Sequence, residues 1–584
     1  MTFLRELLAV IVGLFISFSI MLIVLVGIGM AVGDSEEITV ENNSVLILKL
    51  KEPIKDYAPK SDDPFEELLG LGDEKMGLNT IINAIENAKY DDNIVGISIE
   101  AMYLQAGIAQ TQAIRDKLSE FKESGKFITA YADVYDQKNY YLSSVADSIY
   151  INPAGGIDFK GLSGEVLFFK DFQDKYGVKL EVIRHGKYKS AVEPFLANKM
   201  SDANREQTES FLNSIWDELV ADIAESRNKS KAEINNIADE LLARTPELAI
   251  QNKMINQQLY RDEYAKVVDV LAGFDESNKV NSISLKKYIK AGKGRITSSS
   301  KNRIAVIYAQ GEIQYGKGSE EYIGQEMIVK AIKKARKSKN VKAIVLRVNS
   351  PGGSALASDI IWRELELAKK EKPLVVSMGN LAASGGYYIA CNANKIIAEP
   401  TTITGSIGVF GAVLNMSEFA GNIGINAEQV GTNKQSVGYS AFEPITDSFY
   451  KVTKEGVEHV YTTFVEKVAA GRNMTFEEVD HIAQGRVWTG KEALENGLVD
   501  ALGNLDDAIK VAAELAEVEE YRVRNYPDYK KDFKDLFKGP LASIKTSILK
   551  EELGKQNYHT YKRVKQLSTI EGVQTRLPFL LEIE

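Results

Sequence analysis

Residues 387–400 read Tyr-Tyr-Ile-Ala-Cys-Asn-Ala-Asn-Lys-Ile-Ile-Ala-Glu-Pro, and residues 140–153 read Tyr-Tyr-Leu-Ser-Ser-Val-Ala-Asp-Ser-Ile-Tyr-Ile-Asn-Pro. The two stretches share one framework at an offset of 247 residues, the difference between positions 140 and 387. At the same offset, Asn340–Leu346 matches Asn93–Ile99. Solenoid repeats have periods of about 20–50 residues, so a period of this length indicates that a whole domain is duplicated.

Both copies alternate apolar runs with segments of helical periodicity, which is typical of βαβ units with mostly parallel strands. The first strands are predicted at Val45–Leu50 and Ile304–Tyr308. The second copy is predicted to continue with helix Met327–Lys337, strand Ala343–Val348, helix Ala355–Lys370, strand Leu374–Met378 and a helix that opens at Ser384. The sequence therefore predicts an α/β fold made of two tandem copies of one domain.

The repeat and one Gly- and Ser-containing linker at residues 292–301 divide the chain into four segments. They are an N-terminal membrane anchor at 1–36, a first α/β copy at 43–295, a second α/β copy at 300–520 and a C-terminal extension at 521–584 without a counterpart in the repeat. A polar stretch at 58–77 predicts a loop insertion in the first copy, and the mixed charge of residues 530–538 predicts a surface tail.

The N-terminal stretch Leu8–Val32 is apolar except for two serines. Its length, at about 1.5 Å per residue, exceeds a hydrocarbon core of roughly 30 Å, whereas the apolar region of a cleavable signal peptide has only about 7–15 residues. Arg5 precedes the stretch and Asp34 follows it, so the positive-inside rule places the N-terminus in the cytoplasm. We expect an uncleaved single-pass anchor with the bulk of the chain on the extracytoplasmic side. The alternative is a leader that is removed.

Composition narrows the possible partners. The formal net charge is −10 and the sequence has no extended basic block, which argues against nucleic acid as the main partner. Cys391 is the single cysteine, so the chain has no intrachain disulfide framework. It takes the place of Ser144 in the repeated pattern, and we expect a small core residue rather than a reactive thiol. We predict neither a cofactor nor a metal site.

Two strand-to-helix junctions of the second copy carry residues suited to catalysis. Asn349–Ser354 reads Asn-Ser-Pro-Gly-Gly-Ser, and glycines at a strand end let backbone N–H groups point into a cleft. Ser384 lies at the next junction, where the first copy has Gln137. Both junctions are expected at the same end of neighbouring parallel strands, where open α/β sheets build their sites. Ser384 is thus a candidate nucleophile that only one copy retains.

A serine nucleophile needs a base, and histidine is scarce in this chain. His185 is expected to be mainly structural, His459 and His481 fall in helical stretches, and His559 lies in the C-terminal tail. A Ser-His-Asp triad is therefore possible, but the chain offers few histidines that could serve in it. The alternative base is lysine, whose pKa falls from about 10.4 to near 7–8 when it is buried in an apolar site.

Lys189 is the lysine that the repeat singles out. After one small gap, Ser440–Pro444 matches Ser190–Pro194, so that Lys189 aligns with Tyr439. The first copy has the lysine without the serine, and the second has the serine without the lysine. Complementary loss of this kind is expected where the two copies form one composite site. A surface lysine is the alternative.

These motifs together resemble the signal peptide peptidase A family of serine peptidases, in its long, two-copy, membrane-anchored bacterial form. The resemblance is carried by Gly-Lys-Tyr-Lys-Ser-Ala-Val-Glu-Pro at 186–194, Ser-Pro-Gly-Gly at 350–353, Ala-Ala-Ser-Gly-Gly-Tyr-Tyr at 382–388, Thr-Gly-Ser-Ile-Gly-Val at 404–409 and Gly-Arg-Val-Trp-Thr-Gly at 485–490. It covers most of the chain from the N-terminal stretch to about residue 510.

The resemblance implies a serine endopeptidase with a Ser-Lys dyad on a fold similar to the Clp protease and crotonase group. By motif, Ser384 would be the nucleophile, Lys189 the general base and later the general acid, and Ser406 the serine that orients the lysine. Gly353 and Gly385 would supply the N–H groups of the oxyanion hole. The resemblance also implies a homotetramer in the bacterial inner membrane, with its catalytic bulk on the periplasmic side, that degrades apolar signal-peptide remnants.

Two other functions stay open from the sequence. A crotonase-like acyl-CoA enzyme would also place two backbone N–H groups at a thioester oxyanion, but it needs neither Ser384 nor Lys189. A non-catalytic membrane scaffold needs no active serine either, although the chain retains both members of the dyad.

Overall fold

The computed structural model describes residues 2–32, 38–59, 76–274, 279–529 and 573–576. Helix α1 spans Thr2–Val32, and its side chains are described over residues 5–21. Over the side chains described in these ranges, no helix is both long enough and apolar enough to cross a membrane, so the predicted anchor is not confirmed. Most of the predicted loop insertion at 58–77 and all of the predicted tail at 530–538 lie outside the described residues.

The first copy is built around a parallel sheet. The strands of the first copy are β1 (Ser44–Leu48), β2 (Ile54–Lys55), β3 (Met76–Gly77), β4 (Ile94–Ile99), β5 (Phe127–Ala132), β6 (Ser148–Ile151), β7 (Lys179–His185), β8 (Gln257–Gln258) and β9 (Asn281–Ser284). Its helices are α2 (Leu78–Tyr90), α3 (Ile108–Lys122), α4 (Gln137–Ser143), α5 (Lys170–Tyr176), α6 (Glu193–Leu196), α7 (Asp202–Arg227), α8 (Lys231–Asp239), α9 (Pro246–Gln251), α10 (Arg261–Leu271) and α11 (Leu285–Tyr288). The strand order in the sheet is β8-β6-β5-β4-β1-β9, with parallel pairing throughout.

The second copy repeats this plan. Its strands are β10 (Arg303–Gln310), β11 (Glu312–Gln314), β12 (Tyr322–Gly324), β13 (Val341–Ser350), β14 (Gly352–Ser354), β15 (Leu374–Ala383), β16 (Lys395–Ala398), β17 (Ile403–Gly405), β18 (Val409–Asn415), β19 (Val487–Thr489), β20 (Ala501–Leu502) and β21 (Arg522–Tyr526). Its helices are α12 (Gln325–Lys337), α13 (Ala355–Lys369), α14 (Gly385–Ala390), α15 (Ser417–Asn422), α16 (Asp447–Arg472), α17 (Phe476–Ile482), α18 (Gly490–Glu495) and α19 (Leu505–Leu515). The sheet has the order β19-β17-β15-β13-β10-β21, and β16 also pairs with β15.

The helices and strands predicted for the second copy are confirmed, and their apolar residues form its core. Helix α12 buries Ile328, Ala331, Ile332 and Ala335, a spacing that puts all four on one helical face. Strand β13 is buried along nearly its whole length, as expected of a central parallel strand. Cys391 is fully buried, as predicted, and burial raises the pKa of its thiol to about 12.

The predicted start of the C-terminal extension at residue 521 comes too early. Strand β21 lies beyond that point and pairs in parallel with β10, as β9 pairs in parallel with β1 in the first copy. The second copy therefore continues to Tyr526. The sequence comparison missed this strand because it lies at the edge of the sheet and exposes its first three residues, which leaves no apolar pattern to align.

A third sheet joins the two copies. Val573–Arg576 forms its strand β22, and the strand order is β12-β11-β14-β22-β18-β7. Strand β7 of the first copy pairs antiparallel with β18 of the second, from Lys179 opposite Asn415 to His185 opposite Val409. This pairing carries the segment after β7, which includes Lys189, into the second copy.

A buried ion pair also fixes one copy against the other. Asp56 of the first copy accepts a hydrogen bond from Arg347 of β13 at 2.9 Å, and both side chains are 1% exposed. Gln110 of α3 donates to the other oxygen of Asp56 at 2.8 Å. Removing one partner of such a pair leaves an uncompensated buried charge, at a cost of about 3–5 kcal/mol. The contact between the copies is therefore directional as well as apolar.

Candidate active site

Ser384 stands between β15 and α14 in a conformation that is unusual for a serine. Its φ is 55° and its ψ is −115°, values that residues with a side chain rarely adopt. The Ser384 N–H donates to the carbonyl of Gly405 at 2.8 Å, and its carbonyl accepts from the N–H of Tyr388 at 2.8 Å. A sharp, strained turn from strand to helix is the geometry that presents the nucleophilic serine in α/β-hydrolases.

Lys189 lies on the loop after β7, and its neighbours are held from two sides. The Tyr188 N–H donates to the carbonyl of Gln484 in the second copy at 2.8 Å. Gln207 of α7 donates to the Tyr188 carbonyl at 3.1 Å and to the Ser190 hydroxyl at 2.8 Å. The residues before and after Lys189 are therefore held in place, which fixes the point from which its side chain extends into the second copy.

The amine of Lys189 contacts three oxygen atoms. Its Nζ lies 2.8 Å from Ser384 Oγ, 3.1 Å from Ser406 Oγ and 3.2 Å from the Ser406 carbonyl oxygen. A neutral amine has two N–H groups and one lone pair, so three contacts use all of its hydrogen-bonding directions. With both N–H groups directed to Ser406, the lone pair can accept the hydroxyl proton of Ser384.

Burial controls the charge of this amine. The side chains of Lys189 and Ser384 are both 0% exposed. Removal from water disfavours the ammonium form and lowers the pKa of Lys189 well below its usual value of 10.5. The neutral amine is therefore available at lower pH than an ordinary lysine, which is the property that a general base requires.

Ser406 is held as firmly as the lysine that it contacts. It follows β17 directly, with a φ of 50°, and is fully buried. Its N–H donates to the carbonyl of Arg486 at 2.6 Å. Both of its oxygens therefore face Lys189 from a fixed backbone.

The predicted glycine junction lies beside the serine junction. Strands β13 and β15 are parallel neighbours, with Ser350 opposite Ala382, so the two junctions share one end of the sheet as predicted. Gly385 is the first residue of α14, directly after Ser384. Gly353 lies in β14 with a φ of 152°, and a Cβ at this position would be 2.0 Å from the carbonyl oxygen of Ile313. The backbone there approaches β11 too closely for any other residue.

In the first copy, the position equivalent to Ser384 supports a loop instead. Gln137 begins α4, and its side-chain oxygen accepts hydrogen bonds from the N–H groups of Lys160 at 3.1 Å and Gly161 at 2.8 Å. In the second copy, Tyr439 takes the place of the lysine. It is 43% exposed, and its hydroxyl donates to the Leu414 carbonyl at 2.5 Å.

The histidines take no part in the contacts of Ser384 within the described residues. His185 ends β7, where its Nδ1 lies 2.6 Å from Glu458 and its ring stacks on Tyr461 at 3.7 Å, in agreement with a structural role. His459 and His481 are exposed on α16 and α17. His559 lies outside the described residues.

Two glycines that line Lys189 were not singled out from the sequence. A Cβ on Gly485, whose φ is 81°, would lie 2.6 Å from the backbone N of Lys189. A Cβ on Gly408 would lie 3.2 Å from Lys189 Cδ. Both therefore make room for the lysine. Gly485 opens one of the family-like motifs, but the reason for a glycine there depends on what packs against it.

Comparisons with known proteins show which proteins this chain is similar to. The signature of Peptidase family S49 matches residues 120–275 and 366–519, once in each copy. The chain is 36% identical to Protease 4 of Haemophilus influenzae over 527 residues, which cover 88% of this chain and 85% of that protein. It is 38% identical to a candidate signal peptide peptidase SppA of Enterococcus faecium over 192 residues, 33% of this chain and 56% of that protein. Among solved structures, a ClpP1 mutant from Listeria monocytogenes matches 35% of this chain and 94% of its own, at 16% identity and a TM-score of 0.24.

Proposed function

Because the chain belongs to peptidase family S49, we propose that it is a serine endopeptidase with a dyad of Ser384 and Lys189 that degrades cleaved signal peptides and other apolar peptides. The observation that carries the dyad is the 2.8 Å contact between Lys189 Nζ and Ser384 Oγ, with both side chains fully buried. An adjacent base of lowered pKa is what turns a serine hydroxyl into a nucleophile. The substrate class rests on the family and on the printed name of one relative, a candidate signal peptide peptidase.

In the first half of the reaction, Ser384 Oγ attacks the carbonyl carbon of the scissile bond. Its proton moves to Lys189 Nζ, which becomes an ammonium, and the carbonyl oxygen becomes an oxyanion. Backbone N–H groups of Gly353 and Gly385 stabilise this oxyanion, and one such donor is worth about 3–4 kcal/mol. The two oxygens of Ser406 stay on the ammonium, so that the new charge keeps its hydrogen bonds.

Collapse of the tetrahedral intermediate then breaks the C–N bond. Lys189 gives its proton to the leaving amine, and the acyl group remains on Ser384 as an ester. A water molecule attacks this ester while Lys189 takes its proton, and the second collapse returns that proton to Ser384 Oγ. The products are two shorter peptides, and the lysine ends neutral and ready for another turnover.

An apolar substrate suits a base that depends on burial. A peptide with apolar side chains keeps water away from Lys189 and so keeps its pKa low. The stretch Leu8–Val32 serves as a single-pass anchor that leaves the catalytic bulk on the extracytoplasmic side of the bacterial inner membrane. Membrane-retained peptides then meet the enzyme at a high effective concentration. The anchor is tested by fractionating cells that express the full chain or a chain without residues 1–36.

Each copy has a fold of the Clp protease and crotonase group, and the chain assembles as a homotetramer. The sequence resemblance supports both, and the parallel sheets of the two copies support the fold alone. Light scattering on the detergent-solubilised chain measures the number of subunits. A monomer at micromolar concentration would remove the assembly from the proposal and leave the dyad untouched.

The dyad forms within one chain, because the Lys189 and Ser384 that lie 2.8 Å apart belong to the same polypeptide. Differently tagged Ser384→Ala and Lys189→Ala chains, when co-expressed, therefore give mixed oligomers without activity. No single chain in such a mixture has both residues. Recovered hydrolysis in doubly tagged oligomers would instead pair the two residues across neighbouring subunits.

A fluorophosphonate probe tests the nucleophile directly. The purified chain is labelled and digested, and mass spectrometry locates the adduct, which we expect on Ser384. Lys189→Met keeps the apolar stem of the lysine without its amine and should label far more slowly. Tyr439→Phe is the control and should label at the normal rate. A folded chain without an adduct on Ser384 would favour a crotonase-like acyl-CoA enzyme or a non-catalytic scaffold.

A further inference from the structure

The short loop at residues 484–486, between α17 and β19, contacts two parts of the candidate site. Its first carbonyl accepts a hydrogen bond from the N–H of Tyr188 at 2.8 Å, and its last carbonyl accepts one from the N–H of Ser406 at 2.6 Å. Its central glycine packs against the backbone of Lys189. The loop therefore holds the segment that carries the lysine and the serine that contacts its amine at a fixed separation.

The backbone of this loop has a conformation that its sequence does not favour. Gln484 has a φ of 53° and Gly485 a φ of 81°, so two successive residues are in the left-handed region. Glycine adopts that region readily, whereas a residue with a side chain does so at a cost. The N–H of Gly485 donates to the Ile407 carbonyl at 2.8 Å, which holds the second residue. The conformation of Gln484 must be stabilised by its own side chain.

The amide of Gln484 is held by two groups from neighbouring helices. Its Nε2 donates to Asp480 Oδ1 of α17 at 2.7 Å and to the hydroxyl oxygen of Tyr461 of α16 at 3.2 Å. The Tyr461 hydroxyl in turn donates to Asp480. A carboxylate only accepts hydrogen bonds, so the amide must direct its two N–H groups, and not its oxygen, to this pair. Tyr461, Asp480 and Gln484 together form a clamp that ties the loop to both helices.

The groups around the clamp are themselves held in place. Tyr461 is 3% exposed, and burial together with the carboxylate of the clamp raises the pKa of its hydroxyl. His185 of β7 stacks on the Tyr461 ring with the two centroids 3.7 Å apart, and its Nδ1 lies 2.6 Å from Glu458. At the other end of the loop, the Arg486 guanidinium lies 2.8 Å from Glu206. The Tyr461 hydroxyl therefore keeps its proton and remains a donor to the clamp.

We propose that Gln484 is a positioning residue, whose amide locks the loop that holds Lys189 and Ser406 at the separation that proton transfer requires. The proposal rests on the peptidase function proposed above. Gln484 acts through the loop backbone, because its side chain is directed to Asp480 and Tyr461. Displacing a well-oriented catalytic group by about 1 Å can cost about a hundredfold in rate, so a small movement of the loop has a large effect.

A positioning role has a signature in the pH profile that a purely structural role lacks. If the clamp is broken, the loop moves and water reaches the amine of Lys189. Hydration favours the ammonium, so the pKa of Lys189 returns toward its ordinary value of 10.5. Because hydrolysis needs the neutral amine, the acid limb of kcat/KM then moves to higher pH. A variant that only reduces the folded fraction lowers the plateau and leaves the acid limb where it was.

Two substitutions in the full chain break the clamp in different ways. Gln484→Glu keeps the shape of the side chain but replaces both donors by a carboxylate that faces Asp480. Gln484→Gly removes the donors and relieves the left-handed strain, so it provides the same test should the glutamate variant not fold. With a fluorogenic apolar peptide, we expect kcat to fall by about tenfold to a hundredfold in both, with little change in KM. The acid limb of both variants should move to higher pH.

A control and a rescue accompany these variants. Val479 lies on α17 next to Asp480 and is fully buried, so Val479→Ala lowers the Tm by leaving a cavity without removing a clamp hydrogen bond. Its acid limb should stay where the wild-type limb lies. Adding Asp480→Asn to Gln484→Glu is the rescue, because the amide introduced at position 480 can donate to the carboxylate at position 484. We expect the double variant to have a kcat about ten times that of Gln484→Glu alone.

The results distinguish failure of the clamp from failure of the peptidase function. If the wild-type chain hydrolyses the peptide and folded Gln484→Gly keeps both its kcat and its acid limb, the positioning role is wrong and the peptidase stands. The positioning role is also wrong if Val479→Ala moves the acid limb as far as the Gln484 variants do, or if Asp480→Asn restores nothing. A folded wild-type chain with neither hydrolysis nor a fluorophosphonate adduct on Ser384 would overturn the peptidase function, and the positioning role with it.

Discussion

Replacing Ser406 by alanine tests how the base is held. Ser406 offers Lys189 two oxygens, the hydroxyl at 3.1 Å and the carbonyl at 3.2 Å, and alanine removes only the first. The substitution leaves the 2.8 Å contact between Lys189 and Ser384 in place. We therefore expect Ser406→Ala to reduce kcat/KM without abolishing hydrolysis.

The size of the effect follows from the charge that the lysine gains during the reaction. A hydrogen bond between neutral groups is worth about 0.5–1.5 kcal/mol, and one to a charged group about 1.5–3 kcal/mol. The hydroxyl of Ser406 therefore favours the ammonium of Lys189 over the neutral amine by about 1 kcal/mol. Losing it should lower kcat/KM about five- to tenfold, because about 1.4 kcal/mol corresponds to a factor of ten.

The same difference changes the pH dependence in a definite direction. The hydroxyl stabilises the charged form of Lys189, so its removal lowers the pKa of the lysine further. Hydrolysis requires the neutral amine, and kcat/KM rises with pH through the pKa of the base in the free enzyme. The acid limb of the profile in Ser406→Ala should therefore move to lower pH, although its plateau is lower.

The assay is the pH profile of kcat/KM with a fluorogenic apolar peptide. Thr404→Val is the matched control, because the Thr404 hydroxyl is also buried but donates to the Ala382 carbonyl at 2.7 Å. We expect its acid limb to stay where the wild-type limb lies. The reasoning is refuted if Ser406→Ala keeps the wild-type plateau, or if its acid limb moves to higher pH.

Three further outcomes are expected. Ser384→Ala and Lys189→Met should each abolish hydrolysis in a folded chain. Because a dyad acts as a unit, the double variant should hydrolyse the peptide no more slowly than either single variant. A further loss of kcat/KM in the double variant would contradict this. Gly485→Ala should lower kcat about a hundredfold, because the added Cβ displaces Lys189. Gly424 is the control, since it has the same φ of 81° but open space where a Cβ would lie. Gly424→Ala should only lower the free energy of unfolding, by about 1–2 kcal/mol. Equal kinetics in those two variants would remove the steric argument. Gln137→Ala should leave kcat unchanged and lower thermal stability, since its contacts hold a loop; a loss like that of the dyad variants would reveal a second site.

The duplication and the order of the elements could be predicted from the sequence because each leaves a local pattern. Helix α12 repeats its apolar residues at helical spacing, and β13 is an almost continuous apolar run. Ser384 could be found because it follows such a strand in a glycine-rich turn that only one copy retains. These signals lie within a few residues of the features that they predict.

The sequence identified Lys189 as a candidate base but could not predict its contacts or its lowered pKa. The alignment of the copies singled it out, because Tyr439 takes its place in the second copy. Its contact with Ser384, however, depends on the pairing of β7 with β18, two strands more than 200 residues apart in the chain. Its lowered pKa depends on complete burial, which is a property of all the atoms around the amine and not of the lysine itself.

The sequence by itself thus determined the duplicated α/β plan, the serine junction and the candidate lysine. Only the tertiary structure decided that β21 belongs to the second copy, that Gly485 makes room for Lys189, and that β22 lies between β14 and β18. All three depend on contacts between segments that are far apart in the chain. Pairing between distant strands is made by backbone hydrogen bonds, which every residue except proline can form, so short strands such as β21 and β22 leave almost no trace in side-chain pattern. Steric room and desolvation likewise arise only when segments far apart in the chain come into contact.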